Sequence, residues 1–197
     1  MKIVFASANP NKINEINKLT PDSITILSLT DIGCSKDIPE TQPTIEGNAS
    51  QKASFIYKEY GVNCFADDTG LMIDALAGKP GVLSARYAGE LKDDQKNINK
   101  VLEELKGEKN RNASFKTVIS LIINGKEHLF TGIVEGVILE RIKGNNGFGY
   151  DPIFAPNILS GGIKNTNKLS FAEIPLEEKN KISHRAIAYD KLINHLL

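Results

Sequence analysis

Along the chain, short apolar runs alternate with segments whose apolar residues return every three or four positions, a rhythm that predicts strands and helices in turn. Ile3–Ala6 reads as a buried strand, and the following "NKINEINKLT" places Ile13, Ile16 and Leu19 on one helical face. Ile24–Leu27 predicts a second strand. From Thr44 to Tyr60 the residues Ala49, Ala53, Ile56, Tyr57 and Tyr60 recur at helical spacing. Thr44 supplies a capping hydroxyl there and Gly61 a stop. Val62–Ala66 returns as a strand, with Asp67 and Asp68 at its C-terminal end, and Asp93 or Asp94 opens a helix reaching about Leu105.

The texture then changes. "SFKTVISLIING" and "KEHLFTGIVEGVILERI" are long β-branched runs separated by Asn124-Gly125, a two-residue hairpin signal. Their length suits an antiparallel platform rather than short parallel strands. An amphipathic helix from about His184 to Leu196 closes the chain, and no repeat or low-complexity linker interrupts it. The expected fold class is α/β, with a mixed sheet containing long antiparallel strands. One domain over residues 1–197 is expected, formed as two lobes around a central cleft, since ligands favour clefts.

Composition narrows the classes. The 197 residues are 41% apolar and 24% charged, enough for a substantial core without disulfide or metal staples. Net charge is zero, with no basic tract, which argues against a protein that grips nucleic-acid backbone. Two or three local cations would still serve a small phosphorylated ligand. Cys34 and Cys64 lie in no metal-ligand or CxxC spacing, and free thiols suit a reducing compartment. No apolar run approaches a membrane span, so a cytoplasmic location is expected.

Four polar clusters stand where elements end. "SANPNK" (Ser7, Ala8, Asn9, Pro10, Asn11, Lys12) precedes a helix, where exposed N–H groups and the helix dipole attract anions; a plain polar turn capped by Asn9 is the simpler reading. Glu40 and the stretch "EGNASQK" with Lys52 are surface charge when taken alone. Asp67 and Asp68 face opposite ways in extended chain, so one can meet a hard cation such as Mg²⁺ while the other turns to protein. Loop capping would be their structural role, but two carboxylates behind "CFA" are costly without a cation. "GNNGFGYDPIF" lets backbone approach a ligand and offers the rings of Phe148 and Tyr150 to a planar base, or packs them inward. "EEKNKISHRA" adds Lys179, Ser183, His184 and Arg185 near the last helix, as donors to a base or phosphate, or as a cap with surface charge. Cations for phosphates, acids for Mg²⁺ and an aromatic loop for a base together describe a nucleoside triphosphate site. No nucleophile stands beside a base, which leaves water as the attacker.

In order along nearly the whole chain, "SANPNK", "EGNA", "FADDTGLMIDALAGKPGVLSARYAG", "GFGYDPIF" and "SHRA" resemble the inosine/xanthosine triphosphate pyrophosphatase family. The resemblance implies a two-lobed mixed α/β fold, a homodimer, and Mg²⁺-dependent hydrolysis of ITP, dITP or XTP to the monophosphate and pyrophosphate, cleansing the nucleotide pool. It implies that Ser7–Lys12 and Lys52 bind phosphates and that Glu40 and Asp68 hold Mg²⁺. Asp68 would also accept the proton of the attacking water. Thr69 would lie against the ligand, and Phe148, Gly149, Tyr150, Asp151, Lys179, His184 and Arg185 would form the base pocket. Ser7-Ala8 stands where many members carry Thr-Gly, and "NN" precedes the glycine loop where another Gly is frequent. Neither departure removes a charged group.

Three other readings compete. One is a pyrophosphatase for modified pyrimidine triphosphates, against which the Ser-His-Arg cluster favours a 6-keto purine. A second is a nucleotide sensor without catalysis, for which the complete acid set has no use. The third is a nucleic-acid-binding module, disfavoured by charge.

Overall fold

A computed structural model describes residues 1–197. In chain order the elements are β1 (Lys2–Phe5), α1 (Pro10–Leu19), β2 (Thr25–Leu27), α2 (Ile45–Tyr60), β3 (Cys64–Ile73), β4 (Pro80–Gly81), α3 (Asp94–Glu104), β5 (Asn112–Ile123), β6 (Lys126–Ile138), β7 (Phe154–Pro156), α4 (Leu176–Ile182) and α5 (His184–Leu196). The seven strands form one mixed sheet in the order β2-β1-β3-β5-β6-β7, with β4 pairing to β3. β1 is parallel to β2 and β3, whereas β3 with β4 and β6 with β7 are antiparallel. The expected α/β class with a mixed sheet is thus present. No helix is long and apolar enough to cross a membrane.

The chain forms two compact units. The first comprises Met1–Asp68, Thr117–Gly132 and Arg185–Leu197; the second comprises Thr69–Lys116 and Ile133–His184. In the first, alternation along the strands feeds two cores. Ile3, Phe5 and Phe65 join Ile16 of α1 and Tyr189, Leu192 and Ile193 of α5. Val4, Ala6, Cys64 and Ala66 instead join Ala53 and Ile56 of α2. A sheet covered on both faces needs uninterrupted apolar strands, which is why "IVFA" and "CFA" read as runs rather than alternations. The Phe5 and Phe65 rings stack with centroids 4.7 Å apart. Truncating either to Ala would cost about 3–5 kcal/mol. The second unit centres on Phe115, Phe154 and Phe171, with Phe115 and Phe154 meeting edge to face at 4.6 Å.

Most element ends follow their local signals. Thr44 caps α2 by accepting the Gly47 N–H, and Gly61 ends it in the left-handed conformation at φ 64°. Asn124 and Gly125 both have positive φ, as a type I′ hairpin turn requires. One boundary differs. β3 does not stop at Ala66 but runs on to Ile73, so Asp67 and Asp68 lie inside a strand rather than at its C-terminal end. The strand continues because Leu71 and Ile73 are fully buried and Leu71 and Met72 pair with Gly81 and Pro80 of β4. β4, β7 and α4 are new relative to the sequence reading. Two or three strand residues, or seven helical ones behind Pro175, are too short for periodicity to register.

Candidate functional site

Buried charge in this chain is confined to Glu15, Lys52, Asp67, Asp151, Lys179, His184 and Arg185. Such groups are expensive unless paired, and their concentration in a few clusters marks functional sites. Six of the seven were singled out from the sequence, Glu15 being the exception. They fall into one cluster in each unit.

In the first unit, extended backbone sends the two aspartates of β3 to opposite sides. Asp67 Oδ1 accepts from Lys12 Nζ at 2.9 Å, and Asp67 Oδ2 accepts from Arg185 Nε at 3.0 Å. Arg185 Nη1 in turn donates to Glu15 Oε2 at 2.5 Å, one helical turn beyond Lys12 on α1. Asp68 Oδ1 instead meets Lys52 Nζ at 3.3 Å, and Asp68 Oδ2 accepts from Asn48 Nδ2 at 3.3 Å. Lys52 Nζ also donates to Glu40 Oε1 at 2.6 Å, so one ammonium lies between the two predicted Mg²⁺ ligands.

These pairings set the protonation states. Burial works to raise the Asp67 carboxyl, but Lys12, Arg185 and Lys52 outweigh it and hold it well below the usual carboxylate range. Burial is also the main influence on Asp68, and there it prevails: with Glu40 and Asp67 adding repulsion against Lys52 and Lys12, the carboxyl is pushed up. Lys12 is lowered, by burial first and then by Lys52 and Arg185, with Asp67 opposing. Lys52 is raised, because Asp68, Asp67 and Glu40 overcome burial. One aspartate is thus locked as an anion while its neighbour is the more basic of the two.

The turn before α1 differs from a bare anion nest. Asn9 Oδ1 accepts the N–H groups of Asn11 (2.9 Å) and Lys12 (3.2 Å), and Ser7 Oγ accepts that of Asn9 (3.3 Å). Asn9 therefore caps the helix, with Pro10 pre-setting its first turn. Ala8, Asn9, Pro10 and Asn11 are exposed. The charge available there is that of Lys12.

In the second unit, Asp151 Oδ2 accepts from Lys179 Nζ at 2.6 Å and from the Phe148 N–H at 2.9 Å. The Lys179 ammonium stands 5.2 Å from the Phe148 ring centroid. Gly147 is required: its φ is +76°, and a Cβ there would fall 2.0 Å from Asp151 Oδ2. Gly149 donates its N–H to Asp94 Oδ2 at 2.8 Å, and Tyr150 donates its hydroxyl to the Ser84 carbonyl at 2.8 Å. His184 is buried with its ring stacked on Phe115, centroids 4.6 Å apart. Thr69 follows Asp68 on β3 and is half-buried.

The structure thus brings Lys12, Asp67 and Arg185 together, gathers Glu40, Lys52 and Asp68, and joins Phe148, Asp151 and Lys179. Arg185, which the resemblance assigned to the base pocket, pairs with Asp67 and Glu15 in the first unit. Glu15, Asn48 and Asp94 were not singled out. Asn48 was visible within "EGNA", Glu15 lay three residues past Lys12, and Asp94 looked like a second helix cap.

Could Glu40 and Asp68 hold Mg²⁺? They supply only oxygen, and no three His, Cys, Asp or Glu side chains converge into a closed protein cage. Mg²⁺ is ordinarily bound by one or two carboxylates together with substrate phosphates and water, so the donor chemistry of this pair suits it, with the Lys52 ammonium lying between the two carboxylates.

A model of the Ham1 family matches residues 3–195. The chain is 57% identical to a dITP/XTP pyrophosphatase of Flavobacterium johnsoniae, covering 100% of this chain and 98% of that protein. It is 47% identical to the dITP/XTP pyrophosphatase of Bacillus subtilis, over 96% and 93% of the two chains. The solved structure of a HAM1 protein from Coxiella burnetii superposes with a TM-score of 0.87 at 39% identity, covering 100% of this chain and 98% of that one.

Proposed function

Because the chain belongs to the Ham1 family, we propose that it hydrolyses the noncanonical purine nucleoside triphosphates ITP, dITP and XTP to the monophosphate and pyrophosphate, with Mg²⁺. The observation that carries this reading is the contrast between the adjacent carboxylates, one locked by Lys12 and Arg185 and the other raised beside Lys52 and Glu40. Support for the substrate class comes from relatives that carry the name dITP/XTP pyrophosphatase.

In this reading Asp68 is the proton acceptor. A general base works best when its pKa approaches the working pH, and burial moves Asp68 in that direction. Asp68 takes a proton from water, the water oxygen bonds to the α-phosphorus, and the bond from that phosphorus to the bridging oxygen breaks, releasing pyrophosphate. Lys12 and Lys52 bind phosphate oxygens, and a phosphate adds to Asp67 a second negative charge beside the Lys12 ammonium, which burial disfavours. Glu40 and Asp68 would hold Mg²⁺, which when bound neutralises charge on the leaving pyrophosphate. In the second unit we assign the base to the Phe148 ring, Lys179 and His184, with Gly149, Tyr150 and Asp151 shaping the loop. The same reading carries a homodimer, a cytoplasmic location and a role in cleansing the nucleotide pool.

The test is pyrophosphate release from ITP, XTP, dITP, ATP and GTP with Mg²⁺, run also in ¹⁸O-water. Release from the first three well above ATP, with label in the monophosphate, is expected. Orthophosphate and a diphosphate as first products would contradict the reading.

A further inference from the structure

Helix α3 opens with two acids where one suffices. Asp93 is the cap, its Oδ1 accepting the Lys96 N–H at 3.0 Å. Asp94 reaches instead across 55 residues of sequence to accept the N–H of Gly149 at 2.8 Å. Gly149 sits at φ 58° in a loop where Gly144 and Gly147 are also left-handed, so the loop backbone has little intrinsic stiffness. Each of three consecutive loop residues is nevertheless tied down. The Phe148 N–H goes to Asp151, the Gly149 N–H to Asp94 and the Tyr150 hydroxyl to the Ser84 carbonyl. The last two anchors are themselves linked, because Asn97 of α3, only 2% exposed, accepts the Ala88 N–H at 2.7 Å and donates to the Ala85 carbonyl at 3.0 Å.

We infer that Asp94 is a positioning residue for nucleotide-base recognition, fixing the Gly149 peptide so that the flanking Phe148 ring is held ready for the base. The inference rests on the pyrophosphatase reading and adds a residue to it. The bond is charge-assisted, from a carboxylate to a peptide N–H, and therefore stronger than a neutral one. Its loss would let the left-handed loop sample other conformations, an ordering cost repaid each time substrate binds. A base held away from the reacting phosphorus is gripped alike in ground and transition states, so the cost falls on KM rather than kcat.

The experiment compares Asp94→Ala, Asp94→Asn and Asp93→Ala by ITP kinetics and by amide hydrogen exchange. Asp94→Ala is expected to raise KM for ITP roughly 3- to 10-fold with kcat little changed, and to speed exchange of the Gly149 amide about 10-fold. Asp94→Asn, which keeps an oxygen acceptor, should fall between it and the wild type. Asp93→Ala should lower the melting temperature without moving KM. If Asp93→Ala raises KM as much as Asp94→Ala does, helix stability rather than the Gly149 bond is responsible, and the inference is overturned. Unchanged Gly149 exchange in Asp94→Ala overturns it as well. Absence of ITP hydrolysis by the wild-type chain would sink the enzymatic reading and the base-positioning role together. Normal hydrolysis with an unchanged KM in Asp94→Ala would sink the positioning role alone.

Discussion

The carboxylates of Asp67 and Asp68, adjacent in one strand, hydrogen-bond to different cations: Asp67 to Lys12 and Arg185, Asp68 to Lys52. Strand geometry makes that division possible, since successive side chains leave on opposite faces. It also separates their chemistry. Asp67 is 2% exposed and ion-paired on both oxygens, a structural anion. Asp68 is less enclosed, and its carboxyl is raised rather than lowered.

Asp67→Asn is expected to damage the fold. It leaves Arg185 and Lys12 without their shared counter-charge, and breaking a buried pair costs about 3–5 kcal/mol. The pH dependence has a definite sign. A carboxyl depressed in the folded state contributes stability above its unfolded value of about 3.9, and that contribution is lost as pH falls through the folded value. Urea unfolding of wild type and variant should therefore differ most near neutrality and converge in acid. A constant difference at all pH values would mean that the Asp67 charge contributes nothing.

Asp68→Asn is expected to do the reverse, leaving the melting temperature near the wild-type value and removing activity. The amide keeps the shape and an acceptor for Lys52, but cannot take a proton from water. Loss of general-base function costs on the order of 10²–10⁴ in rate. Pyrophosphate release within a few-fold of wild type would remove Asp68 from the mechanism.

What the sequence revealed, and what it withheld, follows from the range of the interactions. An uninterrupted apolar run showed β1, and the Thr44 cap with the Gly61 stop bounded α2, because those signals are local. Opposite orientations for Asp67 and Asp68 followed from extended chain alone. The end of β3 was hidden, because what extends it is pairing with β4 and the burial of Leu71 and Ile73, neither of which "DDTG" announces. The partners of Arg185 were hidden for the same reason: Glu15 and Asp67 lie 170 and 118 residues away. Asp94 looked like a helix cap, since only the fold reveals that Asp93 already fills that role.

Cys64 supplies a prediction on the alkaline side. It is fully buried, and burial pushes its thiol up to about 12 despite an opposing backbone contact at Tyr57. An unfolded thiol ionises near about 8.5. Because the folded value is raised, the contribution to stability is complete below about 8.5 and is lost as pH rises from there toward 12, by up to about 1.4 kcal/mol per pH unit. Stability of wild type measured from neutral pH to about pH 10 should fall more steeply than that of Cys64→Ala. Parallel curves would show that the thiol is not raised.

Arg185 decides between two roles. The family resemblance places it at the base, where its loss would depress kcat/KM for ITP and leave the poor ATP reaction almost unchanged. Its observed contacts point elsewhere, since Nε and Nη1 are directed at Asp67 and Glu15 and the side chain is 2% exposed. Removing it takes a counter-charge from two buried carboxylates, Glu15 and Asp67, the second of which also holds Lys12. Arg185→Ala is therefore expected to lower the melting temperature and to reduce kcat/KM for ITP and ATP by the same factor. His184→Ala should instead reduce the ITP reaction selectively, because adenine offers a 6-amino donor where hypoxanthine offers an acceptor. Sites that hydrogen-bond one substrate group can discriminate by up to about 10⁴. Measured together, the two variants separate the roles. A selective ITP loss in Arg185→Ala, with little change in melting temperature, would return base recognition to the arginine and leave the Asp67 pairing incidental.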